Sequence, residues 1–214
     1  MKSVPNWRVH LEIAKKANEQ LQFNNEDYNL FLLGNIAPDI NNGYIVEGIS
    51  HIYDHGHTHL YNPENHSTYT NFYQKYQDIL KVNPIALGYL IHLYTDYLLN
   101  KDYRAKCEQN NFDKDEYTKF KHRDLRKYDS KYINNTITLN DYTEAVKELH
   151  QIEEIELDEQ DLEKVIEFLD NKQPYTDTNL EFYTVEELDK EVENITNERS
   201  EEHTSELQSR PHIS

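Results

Sequence analysis

Residues 88–100 read GYLIHLYTDYLLN, and no other stretch restricts the fold as much. Leu90, Ile91, Leu93, Tyr94, Tyr97, Leu98 and Leu99 make it apolar on nearly every side. A helix of that kind has to be covered all round by other elements, so it belongs at the centre of a core. Asn83-Pro84 supplies a cap and a first-turn proline, which starts the helix just upstream. Two polar residues interrupt the stretch, His92 and Asp96, four positions apart. At that spacing both side chains lie on one helix face, with Cβ atoms roughly 5–6 Å apart. Burial of a carboxylate is costly unless something compensates it, so the pair calls for a partner.

The elements available to cover this helix are helical as well. Only five glycines and six prolines occur in 214 residues, so sharp turns are few. Asn6 can cap a helix starting at Trp7, whose inner face carries His10, Ile13, Ala14, Ala17 and Leu21 at steps of three and four. YNLFLLG at 28–34 reads as a buried helix stopped by Gly34, followed by a long loop rich in Asn, Gly, Pro and His up to His66, a helix-start residue. Further helices are expected over about 67–82, 114–128, 140–152, 158–171 and 185–197, with the chain turning more polar beyond Lys101. The last is announced by Thr184 and Glu187 as a capping box. No alternating strand pattern of useful length occurs. The expectation is an all-α fold forming one domain over residues 1–198. RSEEHTSELQS, 199–209, resembles the translation of a DNA-sequencing adapter; residues 199–214 are expected to be a disordered tail, and His203 and His212 are set aside.

Charge narrows the function. Against 40 acidic residues stand 22 Lys and Arg, a net charge of −18. That balance opposes binding of nucleic-acid duplexes through their phosphates and stable docking on an anionic membrane. The single Cys107 forms no internal disulfide. No apolar run approaches the ~18 residues of a membrane span, and the first residues lack a signal-peptide core, so a cytoplasmic location is expected.

Histidine is the other informative residue. His10 lies on an otherwise apolar helix face, Asp39 follows Pro38 between apolar neighbours, and His51 and His59 lie in the long loop. Together with His92 and Asp96 these inward-directed groups on separate elements are explained by one shared ion. Zinc accepts imidazole nitrogen and carboxylate oxygen, and a catalytic site leaves a position open for water. His55, His57 and His59 of HGHTH would share a face if that segment were extended.

Four segments resemble, in order and spacing, the zinc-dependent phospholipase C family, a relative of the helical zinc nucleases. They are Trp7 with His10, Ile13 and Ala14; Leu33 to Asp39; Ser50-His51 or Thr58-His59; and Gly88 to Asp96. The resemblance covers about residues 5–100 and implies an all-helical fold around one to three zinc ions that hydrolyses phosphodiester bonds. It implies His10, His92 and Asp96 as zinc ligands, with Asp96 able to bridge two ions. Asp39 is implied as a bridging carboxylate that orients or deprotonates the attacking water, and either His51 or His59 as the loop ligand. The implied substrate is a small phosphodiester or a phospholipid. Trp7 stands where that family has its mature N-terminal tryptophan, but six residues precede it here. His150 and Glu154 have ligand-like spacing, as His122 and Asp124 do, and each pair is equally explained by packing or by a solvated helix face. An HD-type phosphohydrolase would need adjacent His-Asp, and the chain has only the reverse order, Asp54-His55. The alternative from a different class is a non-catalytic metal-binding helical protein that kept the fold with fewer ligands.

Overall fold

Helix α5, Pro84–Asn110, occupies the centre of the structure, with its first four turns buried on nearly all sides. It starts as the sequence implies: the Asn83 side chain accepts from the Ala86 N–H at 3.1 Å, and Pro84 sits in the first turn. The computed structural model describes residues 7–43, 45–61, 68–171 and 179–207. In chain order the other helices are α1 (Trp7–Leu21), α2 (Asn25–Ile40), the one-turn α3 (His55–Thr58) and α4 (Tyr69–Tyr76). After α5 come α6 (Lys114–Asp129), α7 (Tyr142–Leu149), α8 (Glu159–Asn171) and α9 (Val185–Leu207). No strand occurs among the described residues, and the fold is all-α.

Two clusters of apolar side chains meet on α1. The larger joins Trp7, Leu11 and Ala14 to α2, α4, α5, α7 and α8. The smaller joins Val9 and Ile13 to Leu98, Leu99, Leu125, Leu188, Val192 and Ile195 of α5, α6 and α9. Trp7 is a core residue, packed edge-on against Phe168 with ring centroids 5.7 Å apart. Asn6 and His66, expected at helix starts, lie outside the described residues.

Several boundaries differ from the sequence reading. Gly34 does not stop a helix; α2 continues through it to Ile40 and takes in Pro38. A proline inside a helix removes one backbone hydrogen bond and crowds the carbonyl four residues earlier. Here burial of Leu33, Ile36, Ala37 and Ile40 against α5 offsets that cost. Asp39 is therefore a helical residue, held on a packed element instead of a loop. Helix α5 runs nine residues past Lys101 because Tyr103 and Cys107 keep one face buried, and it ends at Asn111 in the left-handed conformation. Helix α9 extends through 199–207, into the adapter-like segment.

The crossing of α2 and α5 is set by two glycines. A Cβ on Gly34 would lie 2.1 Å from the Ile85 carbonyl oxygen, and one on Gly88 would lie 2.1 Å from the Phe31 carbonyl oxygen. Both neighbours are backbone and cannot swing aside, so the helices would have to separate. Gly88→Ala is expected to destabilise the fold by about 3 kcal/mol, the upper end for overpacking a tight core. Denaturant titration checks this, and an unchanged midpoint would show that the crossing tolerates a methyl group.

Candidate metal centre

The close crossing brings the backbone of α2 to the side chains of α5. Asn35 donates from Nδ2 to the Gly88 carbonyl at 3.2 Å, and one turn further the Asn35 carbonyl lies 2.8 Å from His92 Nδ1. A carbonyl only accepts, so His92 carries its proton on Nδ1 and presents a lone pair at Nε2. That lone pair faces His59 Nε2 at 3.3 Å, Asp96 Oδ2 at 3.8 Å and Asp39 Oδ2 at 4.0 Å. His92 is fully buried. Desolvation, with His10 alongside, pushes its pKa down to about 3 against the pull of Asp39 and Asp96, so the ring is neutral.

The other groups converge from three more elements. On α1, His10 stacks on His92 with ring centroids 4.1 Å apart and places Nε2 3.5 Å from Asp96 Oδ1. On α2, Asp39 Oδ1 is 3.8 Å from His59 Nε2. His59 follows α3 as its C-cap, its N–H donating to the His55 carbonyl at 3.0 Å. Tyr89 of α5 donates to the Thr58 carbonyl, and Thr58 Oγ1 lies 3.0 Å from His59 Nδ1, so the small turn is anchored on the core. His59 Nε2 is also 3.5 Å from Asp96 Oδ2. Asp96 thus faces His10 with one oxygen and His59 and His92 with the other. Burial alone would raise its pKa; hydrogen bonding from His10 and His59 and the neighbouring His92 outweigh this and hold it well below the usual carboxylate range. The imidazoles of His10, His59 and His92 are at most 4% exposed, whereas Asp39 is 14% and Asp96 28% exposed, so the centre opens to solvent past its carboxylates.

Two groups of donor atoms have the spacing of a metal site: His10, His92 and Asp96, and Asp39, His55 and His59. Donors around a tetrahedral zinc at about 2.0–2.1 Å stand about 3.3–3.4 Å from one another. The separations of His59 and His92 from each other and from Asp39 and Asp96, 3.3–4.0 Å, fit that geometry after slight contraction. Of the four groups only His59 Nε2 can carry a proton toward the others, and one proton cannot serve the facing lone pairs of His92, Asp39 and Asp96, whereas a cation between them can. The residues fit zinc.

The family model described as zinc dependent phospholipase C matches residues 9–183. The chain belongs to this family. No curated protein and no solved structure matches it. In this zinc-dependent phospholipase C relative, no helix among the described residues is long and apolar enough to cross a membrane.

Of the candidates named from sequence, the structure brings His10, Asp39, His59, His92 and Asp96 together. His51 belongs to neither donor group; its Nε2 lies 3.4 Å from Glu156 Oε1 at the surface, and Ser50 Oγ is 3.0 Å from its Nδ1. His55, not among the ligands named from sequence, joins a donor group with Asp39 and His59. HGHTH forms a helical turn instead of an extended segment, so His55 and His59, four apart, stack with centroids 3.7 Å apart. His57 turns away onto Tyr53, centroids 4.6 Å apart. The usable signal was Asp54 as an N-cap, its side chain accepting from the His57 N–H. His150, Glu154 and Asp124 are engaged outside the two donor groups. His150 Nε2 lies 3.1 Å from the Leu157 carbonyl, and Glu154 accepts from Tyr76 and Lys75 at 2.5 and 2.6 Å. Asp124 accepts from the N–H groups of Glu181, Phe182 and Tyr183 at 2.7–2.8 Å, tying the approach to α9 onto α6.

Proposed function

We propose that this centre hydrolyses phosphodiester bonds in a small or phospholipid-type substrate, with one to three zinc ions held by His10, Asp39, His55, His59, His92 and Asp96. The observation that carries the reading is the convergence of Asp39 and Asp96, at 3.5–4.0 Å, on the Nε2 atoms of buried His59 and His92, which between them have one proton at most to share while His92 Nδ1 is engaged by the Asn35 carbonyl. Membership of a family described as zinc dependent phospholipase C supports the reaction class. Zinc, when bound, lowers the pKa of a water to about 7 and offsets negative charge on phosphoryl oxygens.

The chain's own groups supply the rest. Asn35 fixes the His92 tautomer through its carbonyl, the kind of outer hydrogen bond that makes a ligand ring a better donor. Asp96, with an oxygen toward each donor group, can serve two ions at once. Asp39 lies on the solvent side, where its carboxylate can hold an incoming water and take its proton. The packed helices α1, α2 and α5 keep these groups from relaxing apart, so little reorganisation accompanies the reaction.

Zinc in protein purified without a histidine tag or added metal tests the reading, together with hydrolysis of bis(p-nitrophenyl) phosphate. At least about one ion per chain is expected. Chelation is expected to lower the melting temperature, because an ion bound only to the folded chain stabilises it, by about 2.7 kcal/mol at a free concentration of one hundred times Kd. A chain that takes up no zinc and melts identically with and without chelator overturns the reading. A chain that binds zinc but hydrolyses no phosphodiester favours the non-catalytic alternative.

A further inference from the structure

Helix α5 continues its site-bearing stripe one turn past Asp96 to Asn100, and there it meets a lysine from another helix. Lys121 of α6 donates from Nζ to Asn100 Oδ1, with its ammonium over the Tyr103 ring, 5.6 Å from the centroid. It is half-buried, and among the described residues no carboxylate forms an ion pair with it. Elsewhere the acidic chain pairs its lysines readily, as in Lys75 with Glu154, Lys106 with Glu187 and Lys131 with Asp189. Lys121 lies close enough to the centre to feel the charges of Asp39 and Asp96, and its own charge acts on His55. Desolvation is the largest influence on it and pulls its pKa below the ordinary lysine range.

An ammonium in this position is hard to explain as packing. Partial burial costs the cation hydration, no carboxylate among the described residues pairs with it directly, and Asn100 takes only one of its three N–H donors. With zinc bound, Asp39 and Asp96 would be neutralised, and the ammonium would face like charge. An anion lying over the centre removes both difficulties.

We propose that Lys121 is a specificity-determining residue of this centre: its ammonium, held by Asn100 beyond Asp96, binds a phosphoryl oxygen of the substrate. The inference rests on reading the centre as a phosphodiester hydrolase. It assigns α6 a part in substrate recognition, so that metal-binding helices take the ion and a neighbouring helix takes the phosphoryl group. A charge-assisted hydrogen bond of this kind contributes about tenfold or more in affinity.

The test uses the zinc-loaded full chain and inorganic phosphate as the probe, followed by calorimetry and by inhibition of bis(p-nitrophenyl) phosphate hydrolysis. Lys121→Met is expected to keep its zinc but to bind phosphate about tenfold more weakly, with KM rising more than kcat falls. Lys121→Arg is expected to retain most of the affinity, since it restores the charge. Should Lys121→Met not fold, Asn100→Leu leaves the lysine but removes its anchor, and is expected to weaken phosphate binding about threefold or more. Unchanged phosphate affinity in Lys121→Met, or in Asn100→Leu if that variant has to serve, overturns the role of Lys121 and leaves the metal centre standing. A parent protein that takes up no zinc, or that binds zinc but neither phosphate nor phosphodiester, overturns the hydrolase reading and the lysine's role with it.

Discussion

Asp96→Ala is expected to weaken zinc binding by more than about 100-fold, so that a zinc concentration just saturating the parent leaves the variant almost empty. Asp96 is the one carboxylate that faces both donor groups, with Oδ1 3.5 Å from His10 and Oδ2 3.5 and 3.8 Å from His59 and His92. Its loss takes an anionic donor from whichever position the first ion occupies and ends any bridging between two ions. Mutating groups that only orient a ligand typically costs about 10- to 100-fold in metal affinity, so loss of a carboxylate proposed to hold the ion directly should exceed about 100-fold. Hydrolysis should fall with occupancy. Zinc titration against a competing chromophoric chelator measures the affinity, and melting of both proteins in chelator shows whether the apo fold is intact. If Asp96→Ala binds zinc as tightly as the parent, the ion does not lie between His10, His59 and His92.

Asp39→Asn separates holding an ion from activating water. The amide keeps the shape and one weak oxygen donor but cannot take a proton. At matched zinc occupancy, hydrolysis of bis(p-nitrophenyl) phosphate is expected to fall by about 10²-fold or more, the range for losing a positioned general base. Matching is essential because lost metal would imitate lost catalysis. Turnover equal to that of the parent would make Asp39 a ligand or a structural residue and require another base.

What could be read from the chain itself was local. The spacing of His92 and Asp96 on one face is a property of any α-helix, and the apolar run around them already required a buried one. Asn83-Pro84 starts α5 as its residue types dictate, and Thr184 and Glu187 close a reciprocal capping box at 3.1 and 2.8 Å. Those devices involve atoms within four residues of each other, so their geometry follows from the backbone alone.

Tertiary structure decided the matters that sequence left open. Gly34 reads as a helix stop, yet against Gly88 it is what lets α2 continue and cross α5 closely enough for the Asn35 carbonyl to reach His92. Burial of Ile36, Ala37 and Ile40 in that crossing overrides the penalty at Pro38 and makes Asp39 helical. His51 and His59 stand in similar short contexts, and only the anchoring of Thr58 by Tyr89 selects His59 for the centre while Glu156 engages His51. Lys121 carries no local signal, because its relation to Asp96 passes through Asn100 on another helix. Local backbone preferences settle a residue's conformation, but the partner it meets depends on which helices bury their apolar faces against each other.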